Sequence, residues 1–259
     1  MLALLLAGLS GCSKYQKVLK SDNLDVKYNA ALEYFEKKHY YKALPLFEEV
    51  VPVFRGTHKG EKAYYYYTYT HYYLGDYLMA SYHFENFEKS YPTSPYAKEC
   101  LYMSAYCYYL NSPVYSLDQT DTYKAIRQFQ LFINKYPGSD RVARSNELMD
   151  ELRKKLATKS FDNAKSYFNR GDYKAAVVAL KNVLRDFPAT NYKEEVLFLV
   201  TKSYYLYAQN SIESKKEERF LAAQEAFREL RENYPDSKYL KEAASFYENS
   251  AKQITRLNN

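Results

Sequence analysis

The sequence predicts an all-α chain of about five stacked helix hairpins, with a final helix covering the last of them. Three observations carry this. The 259 residues hold only 7 Gly and 8 Pro beside 32 Tyr and 14 Phe, too little glycine for phosphate loops or a many-turned β-barrel. Mean hydropathy is −0.60, and the leading apolar run, Leu2 to Leu9, is far shorter than the roughly 20 residues a spanning helix needs; a polytopic membrane protein is excluded. Third, one apolar spacing recurs along the whole chain.

That spacing is an alanine, a large apolar residue four on, another three beyond it, and a proline after five more. It reads Ala80, Phe84, Phe87, Pro92; Ala125, Phe129, Phe132, Pro137; Ala176, Leu180, Val183, Pro188; and Ala223, Phe227, Leu230, Pro235. A degenerate first copy, Ala43, Phe47, Val50, has Arg55 in place of proline. Steps of four and three lay the side chains on one helical stripe, and the proline stops the helix.

The elements follow in order. Residues 1–11 form an apolar leader ending Leu9-Ser10-Gly11 before Cys12, which resembles a bacterial lipobox. Cys12 is the expected lipidation site, and Ser13 after it resembles lipoproteins sorted to the outer membrane. With no Lys or Arg ahead of the apolar run, the start codon is expected upstream of Met1. Residues 12–24 form the lipidated N-terminus and linker. Each recurring stripe is then the second helix of a hairpin, preceded by a first helix in Asp25 to Lys37, in Glu61 to Leu74 and around Phe161 to Asn169. Gly75-Asp76-Tyr77 and Gly171-Asp172-Tyr173 supply a left-handed stop and a cap between helices, and Lys38-His39-Tyr40 stands in the same place in the first copy.

The prolines lie 45, 51 and 47 residues apart, so the later repeats carry extra residues. These are expected in a loop at Asn111 to Asp121, a long helix at Arg141 to Leu156 and a charged stretch at Gln209 to Glu218. Ser237 to Leu257 has helical apolar spacing and is expected to cap the end. Helix, short turn, helix, proline resembles the tetratricopeptide repeat, a 34-residue hairpin unit, and residues 59 to 92 match that length.

In that repeat class the first helix of each hairpin lines the inner face. Register carried from the Gly75 turn points Lys62, Tyr65, Tyr69, Tyr72 and Tyr73 inward, and the same offsets in repeat one give Asp25, Tyr28, Leu32, Phe35 and Glu36. The candidate peptide-binding groove is therefore Tyr28, Leu32, Phe35, Tyr65, Tyr69 and Tyr72: tyrosine offers rigid contact area with a polar tip. A tyrosine-rich chain also places tyrosine inside its hairpins, so the stripe reads equally as core.

No catalytic or metal site and no cofactor beyond lipid on Cys12 are expected. His39, His58, His71 and His83 lack ligand spacing and read as surface or satisfied residues. Gly56 and Gly60 open no phosphate loop, and Gly-x-Ser-x-Gly is missing. Cys100 and Cys107, seven apart on one helix, stand roughly 10 Å apart at 1.5 Å per residue, too far to bridge, and read as buried small hydrophobes. The net charge of +6 is interspersed and gives no nucleic-acid signal.

A lipobox, a short linker and five such repeats together resemble the BamD family of outer-membrane β-barrel assembly lipoproteins. Local stretches add to it: Tyr91-Pro92-Thr93-Ser94-Pro95-Tyr96, Phe132 to Ser139, and Leu152 to Ala157 running into Ala164 to Tyr173 and Val183 to Pro188. The resemblance implies a non-enzymatic scaffold on the periplasmic face of the outer membrane. Repeats one to three, residues 25–139, would hold the substrate groove for targeting segments of unfolded barrel proteins. Repeats four and five with the capping helix, residues 140–259, would dock on the periplasmic domains of BamA, with other accessory lipoproteins as further partners. The alternative is another outer-membrane-anchored repeat lipoprotein, an adaptor in cell-envelope or secretion machinery.

Overall fold

The computed structural model describes residues 14–258. Cys12 and the leader lie outside them. A short helical run covers 14–19. It is followed by α1 (Leu24–Glu36), α2 (Tyr40–Val53), α3 (His58–Tyr73), α4 (Tyr77–Ser90), α5 (Ala97–Asn111), α6 (Thr120–Lys135), α7 (Val142–Asn169), α8 (Tyr173–Asp186), α9 (Lys193–Gln209), α10 (Glu213–Asn233) and α11 (Leu240–Leu257). The described residues contain helices and turns and no strand, and the helices pair as tetratricopeptide-type hairpins in the predicted register.

The recurring stripe explains the pairing. Ala43, Ala80, Ala125, Ala176 and Ala223 are all fully buried, where a side chain this small lets two helices approach closely. Phe47, Phe84, Phe129, Leu180 and Phe227 are buried beside them, and Val50, Phe87, Phe132, Val183 and Leu230 complete the stripe. Burying each such side chain is worth about 1.5–3 kcal/mol. The four helices that precede a repeat proline stop alike. The residue before Pro92, Pro137, Pro188 and Pro235 leaves the helix at φ near −131° to −139° while its N–H still reaches the carbonyl four back, as the proline ring demands of its neighbour.

The turns follow the sequence too. Gly75 and Gly171 take φ of 79° and 80°, and the next residue caps: Asp76 Oδ1 accepts from the Met79 N–H and Asp172 Oδ1 from the Ala175 N–H, both at 3.3 Å. In hairpin one the left-handed place is held by Lys38, at φ 58°. Cys100 and Cys107 are buried free thiols, and burial pushes both upward, Cys107 to about 12.

Two expectations need correcting. The helix predicted to end at Leu156 and the one placed around Phe161 to Asn169 are a single 28-residue helix, α7; Ala157-Thr158-Lys159-Ser160 contains neither Gly nor Pro to break it. The charged stretch at Gln209 to Glu218 is only in part a connection: from Glu213 it forms the first turns of α10.

Packing divides the chain into two compact units. One runs to Pro113 and takes in Asp118–Leu152; the other comprises Val114–Leu117 and the residues from Arg153 onward. Unit 1 stacks α1/α2, α3/α4 and α5/α6 and uses Leu148, Met149 and Leu152 of α7 in its core. Unit 2 packs Phe161 and Ala164 of α7 with α8, α9, α10 and α11. No helix of the described residues is long and apolar enough to cross a membrane.

Candidate functional site

Within unit 1 the predicted groove residues lie on two first helices of hairpins, Tyr28, Leu32 and Phe35 on α1 and Tyr65, Tyr69 and Tyr72 on α3, with α5 the next first helix along. Tyr65 and Tyr69 lie one turn apart on α3, their rings 5.0 Å centroid to centroid. Both hydroxyls donate to one carboxylate on α5: Tyr65 to Glu99 Oε2 at 3.0 Å and Tyr69 to Glu99 Oε1 at 2.7 Å. Arg141 stands 3.5 Å from Glu99 Oε1, its guanidinium over the Tyr102 ring at 4.5 Å. Tyr65 also stacks on Tyr96 at 4.2 Å. Burial first, then Glu99, drives the Tyr65 and Tyr69 phenols far above their ordinary range, so both remain protonated donors at neutral pH.

Tyr72 is half-buried beside Tyr69 and Tyr77. Its phenol is raised, chiefly by burial and then by Tyr106 of α5. Phe35 is half-buried at the end of α1 and meets Tyr66 at 4.8 Å and Tyr73 at 5.9 Å, joining hairpin one to the tyrosines of α3. Leu32 packs on the hairpin-one core. Tyr28 stands apart from the Tyr65–Tyr69–Tyr72 group: it is buried in the same core, against Phe54 at 5.9 Å, with Lys59 Nζ 5.9 Å from its ring.

Sequence reasoning missed the α5 contribution. Tyr102, Tyr106 and Tyr109 stack in series at 6.1 and 5.9 Å, and Tyr109 donates to Glu151 at 2.7 Å. The signal was present, since 102, 106 and 109 repeat the four-and-three spacing. The face thus offers aromatic rings and phenol edges around a carboxylate whose charge is already met.

On another side of α3, a cavity of about 530 Å³ is lined by Arg55, Tyr64, Tyr67, Tyr82 and His83, among others. Here the histidines depart from expectation. His71 is buried and stacks on His83 at 5.2 Å. His71 Nδ1 lies 3.2 Å from Asp76 and His83 Nδ1 lies 3.4 Å from the Tyr64 hydroxyl. Both Nε2 atoms are buried without a partner, so these two are neither surface residues nor fully satisfied. Among the described residues no three His, Cys, Asp or Glu side chains group to hold a metal ion.

The family model described as outer membrane lipoprotein, YfiO, matches residues 21–219. The chain belongs to that family. The resemblance to the BamD family drawn from the sequence therefore holds, and membership associates the chain with the outer membrane. The outer membrane protein assembly factor BamD of Caulobacter vibrioides is 22% identical over 205 residues, which are 78% of this chain and 67% of that one. A crystal structure of nearly identical TPR-like repeats from a Podosopora anserina putative kinesin light chain is 13% identical, covers 83% of this chain and 97% of its own, and superposes with a TM-score of 0.34, a likeness too slight to bear on the fold.

Proposed function

We propose that the chain is a non-enzymatic scaffold of the outer-membrane β-barrel assembly machinery, held at the periplasmic face by lipid on Cys12. In this reading the α1/α3/α5 face receives the targeting segments of unfolded barrel proteins. The observation that carries it is the Tyr65–Glu99–Tyr69 network. It ties the first helices of hairpins two and three together and, with Arg141 3.5 Å from the Glu99 carboxylate, leaves that carboxylate already partnered, so that Tyr72, Tyr73 and Tyr106 present rings. An extended segment that alternates apolar and polar side chains can lie on such a face through ring contacts and phenol hydrogen bonds.

Repeats four and five would dock on BamA. Support comes from charge: residues 153–193 hold ten Lys and Arg against three Asp and Glu, an excess larger than the net charge of the whole chain. Lys174, Lys181 and Arg185 on α8 are exposed and suit an acidic partner surface. Holding substrate beside BamA raises its local concentration without any chemical step.

The test is a photo-crosslinking amino acid placed at Tyr72 or Tyr106 in cells making barrel proteins. Crosslinks to unfolded barrel proteins at both positions, and none at exposed Tyr82 on α4, support the assignment. Equal yields at all three would remove it.

A further inference from the structure

The helical run over 14–19 is pinned by one side. Tyr15, Val18 and Leu19 pack on the hairpin-one core, Tyr15 meeting Tyr34 edge-on at 5.5 Å. Lys14 and Lys17, one turn apart, and Lys20 are left exposed.

The end of hairpin one beside this run is basic as well. Lys37 pairs with Glu33 at 2.5 Å, and the hydrogen bond and charge of Lys37, then the charge of Lys14, hold the Glu33 carboxyl below its usual range. Lys42 Nζ lies 5.7 Å from the ring centroids of both Tyr15 and Tyr34. Tyr41 is 82% exposed and, with Lys38, His39 and Lys42, lines a shallow groove of about 380 Å³. Of the acids near this end, Glu33 is paired with Lys37, and Glu49, whose charge reaches Tyr15, is paired with Lys27.

Lys38 adds an independent observation. It holds the left-handed position that Gly75 and Gly171 occupy in the equivalent turns, where any residue with a Cβ is strained. A cation thus stands where glycine would sit without left-handed strain. Distance supplies the setting. Lys14 follows Cys12 by two residues, and two residues of chain span at most about 7 Å. An acylated Cys12 therefore puts this end of hairpin one at the depth of lipid headgroups, well within the roughly 8 Å over which charges act at physiological salt.

We propose that Lys14, Lys17, Lys38, Tyr41 and Lys42 form a docking surface for the anionic phospholipid headgroups of the bilayer that holds the anchor. Lysines supply the attraction to phosphate, and the exposed tyrosine has the amphipathic character of an interfacial side chain. The proposal rests on the lipid-anchor reading above and goes beyond it by naming the face of unit 1 that meets the membrane.

The chain contains no tryptophan, so Tyr41→Trp introduces a single tryptophan, which is excited selectively at wavelengths the tyrosines do not absorb. The acylated full-length variant is reconstituted into phosphatidylcholine vesicles with and without phosphatidylglycerol, their acyl chains brominated near the headgroup. Tryptophan emission should be quenched in the phosphatidylglycerol vesicles, and a Tyr82→Trp control should not be. For the unacylated Cys12→Ser protein, partition onto phosphatidylglycerol vesicles should fall by about thirtyfold or more when Lys14 and Lys17 become glutamate. Acylated, vesicle-bound protein with unquenched Tyr41→Trp, or quenching equal with and without phosphatidylglycerol, overturns the docking surface and leaves the anchor standing. An intact mass without acyl chains overturns both.

Discussion

The hydroxyl of Tyr69 on α3 donates a 2.7 Å hydrogen bond to Glu99 on α5, so a side chain of the second hairpin is locked to the first helix of the third. A charge-assisted bond of this kind contributes about 1.5–3 kcal/mol. Tyr69→Phe should lose an amount in that range, measured by urea unfolding, with Tyr65 and Arg141 still holding the carboxylate. Glu99→Ala should cost more than Tyr69→Phe, because two largely buried phenols then lose their acceptor. Equal losses would mean that the Tyr65 bond to Glu99 contributes nothing to stability.

Stability should fall in acid through His83. Its pKa is lowered to about 4, first by burial and then by the charge of His71, whereas in the unfolded chain it lies near 6.5. Below about 6.5 the unfolded chain takes the proton first, so stability drops as pH falls and levels off below about 4. Discounted for the ring's partial exposure, the loss is about 1–2 kcal/mol. His83→Gln should flatten the profile between pH 7 and 4.5, read by unfolding at each pH.

Glycine at 60 is fixed by contact. A Cβ there would stand 1.9 Å from the Phe54 carbonyl oxygen, in the turn where Thr57 Oγ1 accepts from the Gly60 N–H at 3.0 Å and donates to that same carbonyl at 2.6 Å. Gly60→Ala should cost about 3 kcal/mol or more. Gly138→Ala, with nothing within 4 Å of its Cβ, should stay within about 0.5 kcal/mol of the parent. Thermal unfolding of the pair checks the contrast.

Lys38→Gly should stabilise the chain by about 0.5 kcal/mol, since relief of left-handed strain exceeds the added freedom of the unfolded backbone. Gly75→Ala should destabilise it by about 1–2 kcal/mol for the converse reason. If Lys38 lies on the membrane face, the more stable Lys38→Gly protein binds anionic vesicles less well, which separates its contribution to folding from its contribution to lipid contact.

The hairpin register was legible because alanine, a large apolar residue and proline recur at helical spacing, and in every copy the positions of Ala80 and Phe84 hold an alanine and a large apolar side chain that are buried. The continuity of α7 was missed: the hairpin template, which asks for a break before Phe161, outweighed the absence of any Gly or Pro between Leu156 and Phe161. Tyr65, Tyr69 and Tyr72 could be placed from one turn's register. Glu99 and Arg141 could not, because their partnership with those tyrosines depends on how the next hairpin stacks, which local spacing does not encode. Lys38 was legible in place but not in conformation: Lys38-His39-Tyr40 aligns with Gly75-Asp76-Tyr77 in the sequence, yet lysine carries no signal for a left-handed turn, and its φ of 58° is what reveals the strain.

The most direct test of the scaffold reading is a mild-detergent pull-down of the full-length lipoprotein from its native membranes, with the co-purifying proteins identified by mass spectrometry. Stoichiometric BamA, lost when Lys174, Lys181 and Arg185 are changed together to glutamate in a protein that still folds, is the predicted result. A stable complex lacking BamA would contradict it.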